Sequence, residues 1–341
     1  MKTRTIAGAF LAGALLIPVL TVPLAGAETP VVEAFAEWVG GIESRVAGVE
    51  ASQVELAARV ADLEDRVAAL EATTTTAPAA VTTTTTTTTT APTTTTAGVL
   101  VPSGPITITQ NNTVIDGRHF TGTGGDCVRI QGASNVTIRN SRFTNCVKAI
   151  YAVNASNVVV ENNLCEADRP DRGRNCVQFD KVNGGRIAHN RSVATGDTLA
   201  EDHISLFQSN GTSTNPIIVE GNVIEGGGPS RSGSGIMTGD VGGSWQVVRN
   251  NILRNPGQVG IGVAGGTNIT VDDNTVISER LPWSNVAIYV WRYTGSQPCS
   301  GHRITNNRVS WFNSSGVRNS FWNGGNCGTV VLSGNDFNYE P

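Results

Sequence analysis

The sequence predicts an all-β solenoid from about residue 99 onward, preceded by an α-helical coiled coil and a disordered linker. Three observations carry this. First, one phrase keeps returning in the C-terminal two thirds, as "ASNVTIRNSRFTN" (133–145), "ASNVVVENNLCEA" (155–167), "GSWQVVRNNILRN" (243–255) and "GGTNITVDDNTVIS" (265–278). Second, aligning the phrases leaves one polar slot, held by Ser141, Asn163, Asn190, Asn222, Asn251, Asn274, Asn307 and Asn335 at intervals of 22–33 residues. Repeats of that length are the signature of stacked structural units. Third, residues 32–70 place apolar side chains at alternating steps of three and four, as a heptad seam does.

In chain order, Lys2 and Arg4, an apolar run and Ala25-Gly26-Ala27 form a secretory signal over 1–27, cut after Ala27. The mature protein is therefore expected to be secreted, extracellular or at the cell surface. In that oxidising setting the six cysteines form three disulfides. The formal charge of −4 argues against a nucleic-acid partner, which would require a basic stripe.

Residues 28–72 form the coiled-coil segment. Val falls mostly at a and Leu at d late in the run, while Arg45, Arg59 and Arg66 at g face Glu50, Glu64 and Glu71 at e. The expectation is a homo-oligomer through residues 32–71, a dimer or a trimer. Residues 73–98, rich in Thr, Pro and Ala, have almost nothing to bury and are expected to stay extended.

The recurring slot has a backbone and a side-chain explanation. Asn and Gly both accept the left-handed conformation that a sharp corner needs, so each slot residue is expected to turn a corner in it. The Asn amide can also bond to the Asn stacked one coil away, forming a ladder. Gly117 in "NTVIDGRHF" is the expected earlier member. A second strand precedes each corner, and alternation puts Val128, Ile150, Val177, Ile204, Ile236, Ile261, Ile288 and Val317 in one interior stack. The outward positions form two rows. One runs Arg129, Tyr151, Gln178, Ser205, Met237, Gly262, Tyr289, Arg318; the other runs Gln131, Val153, Asp180, Phe207, Gly239, Ala264, Trp291, Ser320.

The repeat also orders the cysteines. Cys299 and Cys327 each lie eight residues before a ladder Asn, so they stand one above the other, about 4.8 Å apart, within reach of a disulfide. Cys165–Cys176 would then close the charged loop 166–175, and Cys127–Cys146 would tie the first coils.

In repeat length, Asn slot and the "NTVIDG" opening, the chain from residue 99 resembles the right-handed parallel β-helix proteins of the pectate-lyase-like superfamily. The resemblance implies a single-stranded right-handed parallel β-helix of eight to nine coils and a polysaccharide or cell-surface glycan as partner. It supplies no reaction. Polygalacturonases carry paired Asp residues before a Gly-His-Gly segment, whereas the one Gly-His here is "GHR" at 301–303. The Asp-Pro-His of alginate epimerases and the Gly-Asp-rich nonapeptide Ca²⁺ repeat are both missing from the sequence.

On the outward face, Tyr151, Phe207, Tyr289 and Trp291 suit stacking against sugar rings, with Lys181 and Arg231 as charged neighbours. Asp180, Glu201, Asp202, His203 and Asp240 are the candidate catalytic residues. Asp180 and Asp240 lie two coils, about 10 Å, apart, near the spacing of an inverting carboxylate pair. Carboxylates one coil apart could instead hold Ca²⁺, as in lyases of this fold. His203 is expected to point outward. Two functions follow: an enzyme that cleaves or modifies a polysaccharide, or a non-catalytic adhesin displayed on an oligomeric stalk, which would gain avidity from it.

Overall fold

The computed structural model describes residues 99–167, 175–195, 201–228, 233–293, 295 and 297–341. The signal, coiled-coil and linker segments lie outside the described residues, as does Arg231.

Three parallel sheets of nine strands each, with one further two-stranded pairing of Gly266–Thr267 and Cys299–Ser300, build the described chain. The first runs from Val101–Ser103 to Arg308–Trp311, the second from Ile106–Ile108 to Phe321–Asn323, and the third from Val114–Asp116 to Val331–Ser333. One coil shows the pattern: Lys148–Val153 lies in the second sheet, Ser156–Glu161 in the third and Leu164–Ala167 in the first, after which the chain re-enters the second. Nine coils at about 4.8 Å each give a rod on the order of 40 Å long.

Short alternating strands force this architecture, because each buries one row of β-branched side chains and leaves its other row outside. The interior stack Val128, Ile150, Val177, Ile204, Ile236, Ile261 and Ile288 is paired residue by residue through the second sheet. All of its members are at most 1% exposed. The stack ends differently from expectation. Phe321, not Val317, pairs with Ile288, and Val317 is exposed. Residues 312–318 fold back on themselves: Asn313 N–H donates to the Val317 carbonyl, and Phe312 bridges antiparallel to Arg318. That turn delays the ninth strand. Arg318 therefore leaves the outward row and lies over the Phe312 ring, Ser320 donates to the Phe337 carbonyl, and Trp322 takes the place beside Tyr289.

The Asn ladder is continuous. From Asn163 each Nδ2 donates to Oδ1 of the next, through Asn190, Asn222, Asn251, Asn274 and Asn307 to Asn335, at 2.9–3.0 Å. Each Oδ1 also accepts the preceding ladder residue's backbone N–H, and each of these amides from Asn163 to Asn307 donates to a third-sheet carbonyl. The corner conformation belongs to another residue. Positive φ falls on the position just before the slot, at Asn140, Asn162, His189, Gly221, Asn250, Asp273, Asn306 and Gly334. The ladder Asn is therefore not the left-handed residue. Gly117, at φ 63°, belongs to the corner row, and Arg118 takes the slot, its N–H donating to Ser141 Oγ at 3.1 Å.

The three disulfides are those expected: Cys127–Cys146, Cys165–Cys176 and Cys299–Cys327, with Cα atoms 5.5, 5.5 and 4.4 Å apart.

Candidate functional site

The outward face of the second sheet carries the candidate side chains, and one irregularity arranges them. Between the strands Asp202–Phe207 and Ser234–Asp240 the register slips, so that Phe207 pairs with Asp240 rather than with Gly239. This bulge corrects the expected row and puts Asp240 in line with Asp180, two coils away. The local backbone is unusual: Val241, a β-branched residue, holds φ 52° between Gly239 at φ 59° and Gly242 at φ 106°. Side chains at such φ values cost on the order of 1–3 kcal/mol and persist only where the surroundings impose them. A fully buried Gln246 braces the start of this turn, accepting the Gly239 N–H at 2.9 Å and donating to the Ser209 carbonyl at 2.7 Å.

Asp202 occupies the opposite flank of the face. It is partly buried, accepts a hydrogen bond from Ser234 Oγ, and is pushed up to about 7 by burial, with Asp240 and Glu201 adding to the rise. Burial raises Asp240 as well. Between the two flanks lie Ser205, Met237 and Gly262, paired in order along one row. Gly262 has a specific use there. A Cβ on it would stand 2.8 Å from Met237 Sδ and 2.9 Å from the Tyr289 ring. The bare backbone lets Tyr289 lie across it until its hydroxyl reaches Met237 Sδ at 3.3 Å. Burial, then the fields of Asp202 and Asp240, hold that hydroxyl protonated far above the usual tyrosine range. The result is a cradle floored by Ser205 and Met237, flanked by two carboxyl groups and edged by a tyrosine.

On the C-terminal side of the cradle is an aromatic platform. Tyr289 and Trp322 have ring centroids 6.5 Å apart, Trp291 and Trp322 5.9 Å, and Trp291 and Tyr293 5.6 Å. Trp322 and Tyr293 are well exposed, at 46% and 64%. On the N-terminal side, Tyr151 is held between Arg129 and Lys148, 4.8 and 4.3 Å from its ring centroid. Its hydroxyl donates to Asp180 Oδ2 at 2.8 Å, and burial followed by that bond pushes it up to about 12. Lys181 Nζ lies 3.7 Å from Asp180 Oδ1. Phe207 stands between Asp180 and Asp240 in the row.

His203 does not join this face. It is 3% exposed and turned inward, with Nε2 2.8 Å from the Gly226 carbonyl and Nδ1 2.7 Å from Ser192 Oγ. Burial lowers it to about 4. The chain bends at Glu201, and the position before Ile204 faces the first sheet instead of solvent. A small hollow at that corner touches Phe143, the Cys165–Cys176 disulfide, Asn175, Ser192 and His203.

Of the expected candidates, Asp180, Asp202, Asp240, Tyr151, Lys181, Phe207, Tyr289 and Trp291 lie on or beside this face and Glu201 adjoins Asp202; Arg231 lies outside the described residues, and the expected outward orientation of His203 is corrected. The sequence reading missed Trp322, displaced by the turn at 312–318, and Tyr293, which follows the end of its strand. Gly262 and Met237 were in the correct row, but nothing in the repeat marked them as the floor of a cradle.

Parallel coils stacked in three sheets, with one side-chain ladder threading a corner, meet a family model described as the right handed beta helix region over residues 94–276. The chain belongs to that family. No curated protein matches this β-helix chain. Among solved structures, it is similar to an exopolygalacturonase from Thermotoga maritima at 14% identity and TM-score 0.37, over 61% of this chain and 55% of that one. It is similar to the catalytic domain of a GH87 alpha-1,3-glucanase in complex with nigerose at 14% identity and TM-score 0.35, over 66% and 55%. An alginate lyase from Paenibacillus sp. str. FPU-7 matches at 14% identity and TM-score 0.32, over 68% and 99%. The β-helix chain spans about half the length of the first two. These likenesses are of fold.

Proposed function

We propose that the protein binds a polysaccharide along the outward face of the second sheet, and that Asp202 and Asp240 act on it as an acid and base pair. The observation that carries the binding is the continuity of the face. Rings from Tyr289, Trp291, Tyr293 and Trp322 lead directly into the two-carboxyl cradle, and Tyr151 with Asp180 continues it beyond. Aromatic faces pack on the apolar faces of sugar rings, and carboxyl groups accept from their hydroxyls.

The catalytic part rests on the two raised carboxyls. A carboxylic acid near pKa 7 is poised to protonate a leaving oxygen, while its partner assists water on the other side. The strained bulge that aims Asp240 supports the same role. Among the described residues Glu201, Asp202 and Asp240 do not bring their carboxylate oxygens close enough together to share one Ca²⁺ ion. Oligomeric display through residues 32–71 belongs to this proposal, since several grooves on one stalk would bind a polymer with avidity.

Native-gel retardation by immobilised polysaccharides, followed by end-group analysis, tests both parts. Wild type should be retarded by at least one glycan, Trp291→Ala should not, and Asp240→Asn should keep binding while releasing no new chain ends. Retardation without new ends from the wild type would leave an adhesin. No retardation at all would remove the groove as a glycan site.

A further inference from the structure

A third metal-ligating side chain stands against the Cys299–Cys327 disulfide. Cys299 begins a Cys-x-x-His stretch, and His302 is completely buried beside the bridge. Its Nε2 lies 3.3 Å from Cys299 Sγ, and one ligand atom from each of the three residues falls within 4.8 Å of the others. The Ile269 N–H reaches Nδ1 at 3.4 Å, which leaves the ring proton on Nε2, directed at the sulfur. Two thiolates and an imidazole are donors that suit a tetrahedral, thiophilic cation such as Zn²⁺. With metal–sulfur and metal–nitrogen bonds of about 2.3 and 2.0 Å, a tetrahedron sets sulfur and nitrogen about 3.5 Å apart. The observed 3.3 Å is already close to that, so the two sulfurs are what has to part. Side-chain rotation from Cα atoms 4.4 Å apart on successive coils allows it.

We propose that Cys299, His302 and Cys327 form a redox-gated metal site, which takes a divalent thiophilic cation such as Zn²⁺ once the disulfide is reduced. A dithiol breaks the S–S bond by giving two electrons and two protons, and closes its own disulfide in doing so. The cation then displaces both thiol protons. His302 binds through Nε2 with its proton moved to Nδ1, and the long Ile269 contact is given up. A fourth donor is at hand in Asn326 Oδ1, 3.5 Å from Cys327 Sγ. The site closes the same two coils as the disulfide. Asn326 also accepts the Arg292 N–H and donates to the Arg292 carbonyl, so the latch adjoins the segment between Trp291 and Tyr293. Covalent in the oxidised chain and metal-held in the reduced one, it fastens the last coil, and the aromatic platform with it, in either state.

Co²⁺ is the probe, because thiolate ligation gives it an intense near-ultraviolet charge-transfer band. The full chain is reduced with a phosphine, which leaves as its oxide with the oxygen of one water, and is titrated anaerobically. The reduced wild type should show the band and lose it to added Zn²⁺, and the oxidised wild type should show none. Zn²⁺ should also raise the melting temperature of the reduced chain. Cys299→Ser combined with Cys327→Ser should lose the band. His302→Gln keeps its disulfide when oxidised, so its fold can be verified before reduction. Once reduced it should bind Co²⁺ at least about tenfold more weakly, since losing even an outer-shell partner costs that much. A reduced wild type without the band would overturn the site. So would a band that survives the double cysteine substitution, or one that His302→Gln leaves unchanged in strength and affinity.

Discussion

Ser192 donates a 2.7 Å hydrogen bond to Nδ1 of His203, and the pair stands one coil beyond the Cys165–Cys176 disulfide in the same two positions. Cys165 pairs with Ser192 in the first sheet, and the Val177–Ile204 register puts Cys176 beside His203 in the second. Both links join residues 11 apart. The donor assignment follows from Nε2, which must carry its proton to donate to the Gly226 carbonyl, leaving Nδ1 to accept. Two successive coils therefore close the same corner, one covalently and one by a buried hydrogen bond.

The equivalence predicts that Ser192→Cys with His203→Cys forms a fourth disulfide without changing the fold. Unreduced peptide mapping should link 192 to 203 and leave Cys165–Cys176 intact; free thiols at both positions would refute the equivalence. The double variant should also lose an acid sensitivity. His203 titrates near 4 in the folded protein against 6.5 ordinarily, so the unfolded chain binds more protons between those values. Wild-type stability at this site is full above about pH 6.5 and falls by about 3 kcal/mol as pH drops toward 4. The variant lacks that loss.

Asn250 and Asn251 are neighbours with separate duties, and substitution should separate them. Asn251 donates to Asn274 Oδ1, the Val219 carbonyl and the Arg249 carbonyl, and accepts from the Asn222 backbone and side chain. Asn251→Ala leaves several buried groups unpaired and should cost about 2–5 kcal/mol. Asn250, at φ 54°, serves the corner through its backbone. Asn250→Ala should cost about 1 kcal/mol, and Asn250→Gly should be close to neutral. Equal losses at the two positions, measured by denaturant unfolding, would refute this division.

What the sequence made legible follows from what repeats. The interior stack, the ladder and the three disulfides were readable because each is a position that every coil must fill alike. The corner assignment slipped by one residue because Asn populates both places: Asn162-Asn163, Asn250-Asn251 and Asn306-Asn307 look interchangeable as letters. The site was less legible because it is made of departures from the repeat. The bulge that aims Asp240 adds a residue to one strand, the turn at 312–318 shifts Trp322 into the platform, and His203 faces inward after the bend at Glu201. A pattern finds what is periodic, and these three features are not.

Gly262→Ala tests the cradle without touching its carboxyls. The new methyl would collide with Met237 Sδ and the Tyr289 ring, both of them ends of movable side chains rather than backbone. The fold should survive with a modest loss, about 1–2 kcal/mol, while Tyr289 is displaced toward solvent. Its hydroxyl should then titrate closer to the ordinary tyrosine range, seen as a lower-pH rise in phenolate absorbance. Absorbance titration matching the wild type would mean that Tyr289 does not lie across Gly262.

Asp202→Asn probes the most perturbed acid of the face, and its sign is opposite to that of His203. The carboxyl titrates near 7 when folded against 3.8 ordinarily, so the folded state holds a proton that the unfolded chain has released. The stability this proton confers is complete below about pH 4 and is lost as pH rises through 7. Asparagine keeps an oxygen to accept from Ser234 Oγ and never ionises. The variant should therefore match or fall slightly below the wild type at pH 4 and gain on it steadily up to pH 8. Asp202 is only partly buried, so about 4 kcal/mol is the upper bound of that gain. Denaturant unfolding of both proteins at several pH values gives the difference directly. A gap that stays constant with pH would show that Asp202 is an ordinary solvated carboxylate, and the acid of the proposed pair would have to be sought elsewhere on the face.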